Sequence, residues 1–236
     1  MKERPILFSG PMVRAILEGR KTQTRRIVKL PHTNPLGVWE PTTIGGENGG
    51  RTAGGETVPL QGAIWHTRTG DCLTSPHGQP GDRLWVRETW KTRTSHSCAL
   101  DTCDCADVWV DYQAAGDGVY FPERKIDENW TMPEAALKGQ WVPSIHMPRW
   151  ASRITLEITG VRVERLQSIS ESDAESEGAI YGPLLPMGWN KSNCMSDDAC
   201  MRSRFAALWD RLNATRGHGW DVNPWVWTIE FRRIER

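Results

Sequence analysis

The chain has little of several features that would classify it at once. Its 236 residues include only six cysteines, too few for a disulfide scaffold of this length, so we expect the thiols to stay reduced. No apolar run approaches the roughly 18 residues that cross a bilayer, and no charged-then-apolar leader pattern opens the chain. The 29 basic and 29 acidic residues cancel, leaving no overall charge to attract nucleic acid. We therefore expect a cytoplasmic protein with no membrane partner.

Charge is unevenly distributed along the chain despite this balance. Residues 1–30 contain eight basic and two acidic side chains, whereas residues 166–200 contain six acidic and one basic. Opposite charges in two separate segments are typical of a polar cleft with walls of both signs, and also of two unrelated solvated faces. Both interpretations stay open at this point.

Tryptophan dominates the aromatic residues, with 13 tryptophans against three tyrosines and four phenylalanines. Tryptophan combines a large stacking face with one N–H donor, so it packs protein cores and also binds nucleobases. Helical or strand-like spacing assigns most of the tryptophans to the core. Trp85 and Trp90, which flank Arg87 and Glu88, are the candidates for lining a base-binding pocket instead.

A polar run follows the first predicted helix. Apolar residues at helical spacing predict this helix over residues 11–18, and Gly19 can end it in a left-handed conformation. An amine, a hydroxyl and two guanidiniums come next: Lys21, Thr24, Arg25 and Arg26. Such a cluster at a fixed helix end is suited to binding or catalysis, and the alternative is that it coats a solvated strand.

Short strands and a few brief helices make up the rest of the pattern. Period-2 and helical spacing predict strands over 5–9, 22–30, 83–90, 107–113, 152–166 and 224–234, and helices over 11–18, 171–177 and 200–214. Residues 31–81, rich in glycine and proline, are interpreted as a long insertion or mobile loop, and the largely loop-like residues 91–145 are interpreted as a second insertion. The mixture predicts a single α+β domain over residues 1–236 on a curved or closed sheet, best fitted by a small barrel.

Three motifs of the chain resemble those of the ASCH superfamily. They are Gly-Arg-Lys-Thr-Gln-Thr-Arg-Arg at 19–26, Gly-Asp-Arg-Leu-Trp-Val-Arg at 81–87 and Ile-Ser-Glu-Ser-Asp-Ala-Glu-Ser-Glu-Gly at 169–178. The resemblance implies a small PUA-like β-barrel with a few short helices. The whole chain is also similar to proteins encoded by bacteriophages and prophages of enteric bacteria, which implies the cytoplasm of a bacterial host.

Within this superfamily, the bacterial N4-acetylcytidine amidohydrolases have a Gly-Arg-Lys-Thr-x-Thr-x-Arg run, followed much later by a glutamate on a short helix. By this resemblance Lys21 corresponds to the catalytic lysine, Thr24 to the nucleophilic threonine and Glu177 to the acidic partner. Glu171 and Glu175 are the alternatives for the last position. The resemblance implies a hydrolase that deacylates N4-acetylcytidine-like nucleosides without a cofactor.

The chemistry of these groups is coherent on its own. A threonine hydroxyl is a weak nucleophile, and a lysine serves as its base only if burial or a nearby cation lowers the lysine pKa from ~10.4 toward neutrality. Arg20, Arg25 and Arg26 are cations close in sequence, and Arg26 or backbone amides could hold an oxyanion. Lys21 and Thr24 point to opposite faces of a regular strand. They converge only if Lys21 lies in the turn before the strand or a bulge intervenes.

A non-catalytic function is the main alternative. The protein would then recognise RNA or a modified base in a basic, aromatic cleft. In either case the residues expected to bind the nucleoside or RNA are Arg25, Arg26, Trp85, Arg87 and Glu88. Convergence of the three catalytic side chains would favour the enzyme, and separation would favour the reader. A ribonuclease, or a phage accessory protein that binds a host protein through a tryptophan-rich surface, are further alternatives.

One group of soft ligands raises the question of zinc. His96, Cys98, Cys103 and Cys105 lie within ten residues. A structural zinc site usually takes its ligands from two separated pairs of closely spaced cysteines or histidines, which this spacing does not provide. We therefore expect reduced loop cysteines and no metal.

Overall fold

The computed structural model describes residues 1–46, 54–58, 60–94, 108–121, 126–178 and 199–234. In this part of the chain eleven strands and four α-helices make an α+β fold with more sheet than helix, as the sequence predicts. The strands are β1 (Glu3–Leu7), β2 (Gln23–Ile27), β3 (Trp39–Ile44), β4 (Gln61–His66), β5 (Cys72–Thr74), β6 (Arg83–Arg87), β7 (Trp90–Thr94), β8 (Val108–Tyr112), β9 (Gly118–Phe121), β10 (Thr155–Arg165) and β11 (Trp225–Ile234). The α-helices are α1 (Gly10–Leu17), α2 (Glu134–Leu137), α3 (Glu171–Ser176) and α4 (Ala199–Asn213).

The strands form three sheets. Five strands share the first sheet in the order β1-β6-β10-β11-β2, and the other two sheets run β3-β4-β5 and β7-β8-β9. β1 is parallel to β6, whereas β2 is antiparallel to β11, with Thr24 opposite Ile229 and Arg25 opposite Thr228. Within the described residues each sheet has two edge strands, so the closed PUA-like barrel stays a prediction.

The chain divides into two compact units by its internal contacts. Unit 1 comprises Met1, Gly19–Asp82 and Glu157–Arg232, and unit 2 comprises Lys2–Glu18, Arg83–Leu156 and the residues from Arg233. Both units are discontinuous in sequence, so neither corresponds to one half of the chain. The single domain expected over residues 1–236 stays a prediction.

The core of unit 2 is aromatic. Trp90 and Tyr112 are fully buried in a cluster that includes residues of β7, β8, β9 and α2. The rings of Trp90 and Trp150 lie 6.4 Å apart at 86°, an edge-to-face arrangement. The Tyr112 hydroxyl donates to the Ala151 carbonyl oxygen at 2.6 Å. Trp90 therefore belongs to the core rather than to the base-binding pocket for which the sequence made it a candidate.

Regular structure occupies the two segments in which the sequence predicts loops. Residues 31–81 contain β3, β4 and β5, and residues 91–145 contain most of β7 together with β9 and α2, besides the predicted strand over 107–113. The loop prediction is wrong for 31–81 because Pro41 and Gly62 interrupt the strand patterns of β3 and β4. Proline is tolerated in β3 because this is an edge strand, where a missing N–H leaves no central ladder bond unmade.

Two short helices begin and end within one residue of the predicted positions. α1 covers Gly10–Leu17, and Gly19 has a φ of 73°, the left-handed conformation that follows many helix ends. α3 begins after Ser170, whose side chain accepts the Asp173 N–H at 3.0 Å. These two ends fix where the polar residues after α1 and the acidic residues of α3 lie.

The amphipathic helix predicted over residues 200–214 is confirmed as α4. Phe205 and Trp209, one helical turn apart, pack in a core cluster of unit 1 that includes Leu166 and Val226 of β11. The Trp209 indole N–H donates to the His218 carbonyl oxygen at 2.7 Å, which satisfies its single donor. The helix thus covers part of one face of the β2–β11 pair.

Gly62 allows two strands of unit 1 to approach closely. A Cβ atom at this position would lie 2.7 Å from the Val161 carbonyl oxygen and 3.3 Å from the Arg162 Cα, so backbone would have to move. We expect Gly62→Ala to lower the free energy of unfolding by about 1–3 kcal/mol, measured by urea denaturation. Gly10→Ala is the control, because its Cβ would meet Ala114 at 3.8 Å, an ordinary contact. Equal denaturation midpoints for Gly62→Ala and wild type would contradict this account.

Candidate functional site

A buried lysine and a buried glutamate meet in unit 1. The Lys21 Nζ donates to Glu177 Oε2 at 2.7 Å and to the Glu177 carbonyl oxygen at 2.8 Å. The two side chains are 0% and 4% exposed, and 156 residues separate them in sequence. The pair that the ASCH resemblance implies is therefore in contact, away from solvent.

Backbone contacts hold this pair in place. Lys21 precedes β2, and the neighbouring Thr22 N–H donates to the Ser176 carbonyl oxygen at 2.9 Å. Glu177 is the C-cap of α3, and its N–H donates to the Asp173 carbonyl oxygen at 2.9 Å. Asp173 and Glu177 are four residues apart, so they share one face of the helix. That face is the one turned toward Lys21 and β2.

The two alternative glutamates are placed elsewhere. Glu171 accepts the backbone N–H of Arg202 at 2.8 Å, at the start of α4. Glu175 is exposed. Of the three candidates named from the sequence, Glu177 is the one that contacts Lys21.

Arg25 joins the pair to a larger set of carboxylates, called here the ion cluster. Its Nη2 lies 2.5 Å from Glu164 Oε1 and 3.2 Å from Asp173 Oδ2, and its Nη1 lies 3.2 Å from Glu177 Oε1. The Gln23 amide donates to the Asp173 carbonyl oxygen at 2.7 Å. The cluster therefore connects the basic N-terminal segment with the acidic segment around α3. Their side chains meet in one buried polar region.

Burial changes the acidity of the groups in this interior. Burial lowers the pKa of Lys21, and the charges of Arg26 and Arg25 lower it further, while the charge and hydrogen bond of Glu177 oppose the change. Burial also lowers the pKa of Arg26, against the opposing charge of Glu177. Lys21 therefore releases its proton more readily than an exposed lysine does, which is what a general base requires.

Thr24 is buried in β2 but is not bonded to the pair. Its neighbours Gln23 and Arg25 both contact Asp173, so strand alternation directs the Thr24 side chain to the other face. Among the described residues its hydroxyl makes no hydrogen bond to Lys21 or Glu177. Lys21 lies before the first residue of β2, which is the position that convergence with Thr24 requires. Strand alternation therefore does not determine the direction of the Lys21 side chain.

The three remaining predicted binding residues belong to unit 2. Trp85 is 7% exposed, and its ring is already covered by Arg87, whose guanidinium carbon lies 4.6 Å from the ring centroid. Glu88 is 1% exposed and forms an ion pair with Arg153 at 2.9 Å. Burial raises the pKa of Glu88, and Arg153 opposes the change. These residues form a cation–π contact and an internal ion pair of unit 2, whereas Arg25 and Arg26 belong to unit 1.

Sequence reasoning missed several members of the ion cluster. Arg162 and Glu164 come from β10, and the Thr228 hydroxyl of β11 donates to Glu164 Oε1 at 2.9 Å. Arg162 also bonds Asp173 at 3.0 Å. The available signal was that Arg162 and Glu164 alternate with valines in a predicted strand, which places both on one face. Nothing in that pattern indicates that α3 covers the face.

No group of three or more His, Cys, Asp or Glu is arranged to hold a metal ion in the part of the chain that the structure describes. The four residues considered for zinc, His96, Cys98, Cys103 and Cys105, lie outside that part. Cys72 is an exposed free thiol. Among the described residues no helix is both long and apolar enough to span a membrane.

Comparison of the chain with known proteins identifies no family. No family model, no curated protein and no solved structure matches the chain. The ASCH resemblance stays a prediction that rests on the three motifs, and the site is interpreted from its own residues.

Arg25 tests how much of the fold depends on the ion cluster. Removing it by Arg25→Ala leaves buried carboxylates without their cation, so we expect the free energy of unfolding to fall by about 3–5 kcal/mol. Arg232→Ala is the control, because Arg232 is 69% exposed and pairs with Glu157 at 2.8 Å on the surface. We expect it to change stability by less than about 1 kcal/mol. Similar urea midpoints for both variants would show that the cluster is not a stabilising contact.

Lys21 makes stability depend on pH in the alkaline range. Between its lowered pKa and the ordinary value of 10.5, the unfolded chain holds a proton that the folded chain has released. The free energy of unfolding therefore rises with pH across this window. The double variant Lys21→Met/Glu177→Gln removes both charges and is expected to lose this part of the slope. The measurement is urea denaturation from neutral pH to pH 10.5, and equal slopes for both proteins would contradict the lowered pKa.

Proposed function

We propose that the chain is an ASCH-type amidohydrolase that removes the acyl group from N4-acylated cytidine-like nucleosides. It would have the PUA-like barrel of that superfamily, act in the cytoplasm and take a nucleoside, or the same base within RNA, as its substrate. The reaction needs water but no cofactor.

One observation carries this proposal. Lys21 and Glu177 are the two residues for which the resemblance implies proton chemistry, and they lie 2.7 Å apart in a buried setting. Burial lowers the pKa of Lys21, which supports its use as a base. A solvated lysine on a strand surface would have neither property.

The proposed reaction proceeds in two steps. Neutral Lys21 takes the proton of the Thr24 hydroxyl as Oγ1 bonds to the acyl carbonyl carbon. The bond from that carbon to N4 of the base then breaks, and the lysine ammonium returns its proton to N4. In the second step neutral Lys21 takes a proton from a water as its oxygen attacks the acyl-threonine ester. The lysine ammonium then gives that proton to Thr24 Oγ1 as the ester bond breaks, which releases the carboxylic acid and restores Thr24. Glu177 orients the Lys21 amine and stabilises the ammonium between these transfers.

The two arginines of the motif take different parts in this proposal. Arg25 is held by three carboxylates, so its part is to position Glu177 rather than to touch the substrate. Arg26 lies close enough for its charge to lower the pKa of Lys21. It is the candidate for stabilising the oxyanion of the tetrahedral intermediate.

A non-catalytic reader of RNA or of a modified base is the second candidate. It is favoured by the position of Thr24, which is flanked by two residues that contact Asp173 and is bonded to neither member of the pair. For the hydrolase, the Thr24 hydroxyl must come within hydrogen-bond distance of Lys21 when substrate is bound. Catalytic hydrogen bonds are often long before substrate binds, so both candidates are carried into the experiment.

The assay is hydrolysis of N4-acetylcytidine to cytidine, followed by chromatography. We expect wild type to turn over, and Lys21→Met, Thr24→Val and Glu177→Gln each to lose about 10²–10⁴-fold in kcat. Thr155→Val is the matched control for Thr24→Val. Both threonines are buried in strands, Thr155 at 5% and Thr24 at 3% exposed, and the Thr155 hydroxyl has no hydrogen-bond partner among the residues that the structure describes. We expect Thr155→Val to keep wild-type kcat.

The outcomes separate the two candidates. No turnover by folded wild type would overturn the hydrolase for this substrate and leave the reader. Turnover that survives Thr24→Val but not Lys21→Met would remove the covalent step and leave Lys21 as the base for direct attack by water. Loss in Thr155→Val as well would show that the variants report on folding, which circular dichroism of each protein checks.

A further inference from the structure

A groove in unit 1 has no part in the chemistry described above. Its volume is about 620 Å³, and its lining includes Pro41, Leu60, Gln61, Pro80, Val161 and Arg162. Pockets for small organic ligands typically have volumes of about 300–1,000 Å³ with mostly apolar walls and a few polar groups. The groove lies in that range and has that composition, and among the lining residues that the structure describes one side chain is charged.

That charged side chain belongs to Arg162, and all three of its guanidinium nitrogens donate hydrogen bonds to carboxylates. Its Nε donates to Glu164 Oε2 at 3.3 Å, and its Nη2 donates to Asp173 Oδ1 and Oδ2 at 3.1 Å and 3.0 Å. Its Nη1 donates to Glu230 Oε1. Because these nitrogens already bind carboxylates, no pair of parallel N–H donors is left for bidentate binding of a phosphate or a carboxylate ligand. The side chain is nevertheless 37% exposed.

An arginine whose edge is occupied still offers the flat face of its guanidinium. That face stacks on planar rings, as arginine does with the bases of single-stranded RNA. Carboxylates on three sides hold the plane in one orientation, so little side-chain freedom is lost when a ring stacks on it. The groove therefore favours a planar, uncharged ring over an anion.

Two polar side chains could bind the edge of such a ring: Gln61 lines the groove, and Glu230 lies beside the lining residue Gly160. The Gln61 side-chain amide provides a donor and an acceptor. A Cβ atom on Gly160 would lie 2.7 Å from Glu230 Oε2, so this carboxylate oxygen lies directly over a glycine that lines the groove. Glu230 is 46% exposed and could accept a hydrogen bond from an amino group of the ring.

We propose that this groove binds the base of a nucleoside by stacking it on Arg162, with Gln61 and Glu230 contacting the ring edge. The choice of a nucleoside among planar amino-bearing rings rests on the proposed function. The stacking itself rests on Arg162 and on the shape of the groove. The groove is joined to the candidate active site by Asp173, which accepts hydrogen bonds from both Arg162 and Gln23.

The test is isothermal titration of the full chain with cytidine, and separately with inorganic phosphate. We expect cytidine to bind and phosphate not to bind. Arg162→Lys keeps the positive charge but removes the flat face, so the Kd for cytidine should rise about tenfold. Thr43→Trp places a bulky ring on an exposed lining residue of the groove and should abolish binding. Thr74→Trp, at an exposed position of β5 outside the lining, should leave the Kd unchanged.

Thr43→Trp keeps the proposal testable if Arg162→Lys fails to fold. An unchanged cytidine Kd in Thr43→Trp, or phosphate binding that Arg162→Lys abolishes, would overturn the stacking site. Hydrolysis of N4-acetylcytidine with a KM that Thr43→Trp leaves unchanged would also overturn it, while the proposed hydrolase stands. Groove-dependent binding of cytidine without any hydrolysis would leave the site in place and remove the hydrolase.

Discussion

Buried charged side chains in unit 1 need partners of opposite charge within unit 1. The candidate site depends on this constraint. Lys21 and Arg25 are both almost fully buried, and they face the carboxylates of Glu164, Asp173 and Glu177. A charge buried without a partner costs several kcal/mol, so a buried cation such as Arg25 needs its carboxylates. Because two of the carboxylates belong to α3, forming the cluster also fixes that short helix against β2. Apolar residues of similar volume can stabilise a fold equally well, so the stability of α3 against β2 does not by itself require charges at these positions.

Asp173 links the two regions that the proposals concern. It accepts hydrogen bonds from Gln23 and Arg25 beside the buried pair, and from Arg162 beside the groove. The two arginines and Gln23 draw the pKa of Asp173 down, although burial acts to raise it. The carboxylate therefore stays ionised and keeps its acceptors for these donors. A base stacked in the groove and an amine positioned at the pair would share one rigid support, rather than two independent ones.

Different parts of the site were predictable for different physical reasons. The contact of Lys21 with Glu177 followed from motifs, and helix geometry explains why Glu177 rather than Glu175 makes it: a position four residues after Asp173 shares the face that α3 turns to β2. The strands of residues 31–81 were not predictable from the sequence, because Pro41 and Gly62 interrupt the alternation of apolar and polar residues in β3 and β4. Tertiary packing stabilises these strands despite the two residues. The membership of Arg162 in the ion cluster was not predictable either. The period of a strand shows which residues share a face but not which element covers that face.

The opposing influences on Lys21 define what Glu177 can contribute. Burial lowers the pKa of Lys21, and Glu177 works against this change, so Glu177 does not help the amine to lose its proton in the resting state. In the proposed reaction, its attraction for the amine is strongest once the amine has taken a proton, as the Thr24 oxygen attacks. An interaction that strengthens along the reaction lowers its barrier, whereas one of equal strength throughout does not. Burial and the neighbouring arginines keep the amine ready to accept a proton, and Glu177 stabilises the charge that results. The proposed base and its partner would use the burial of Lys21 and the charge of Glu177 in these two ways.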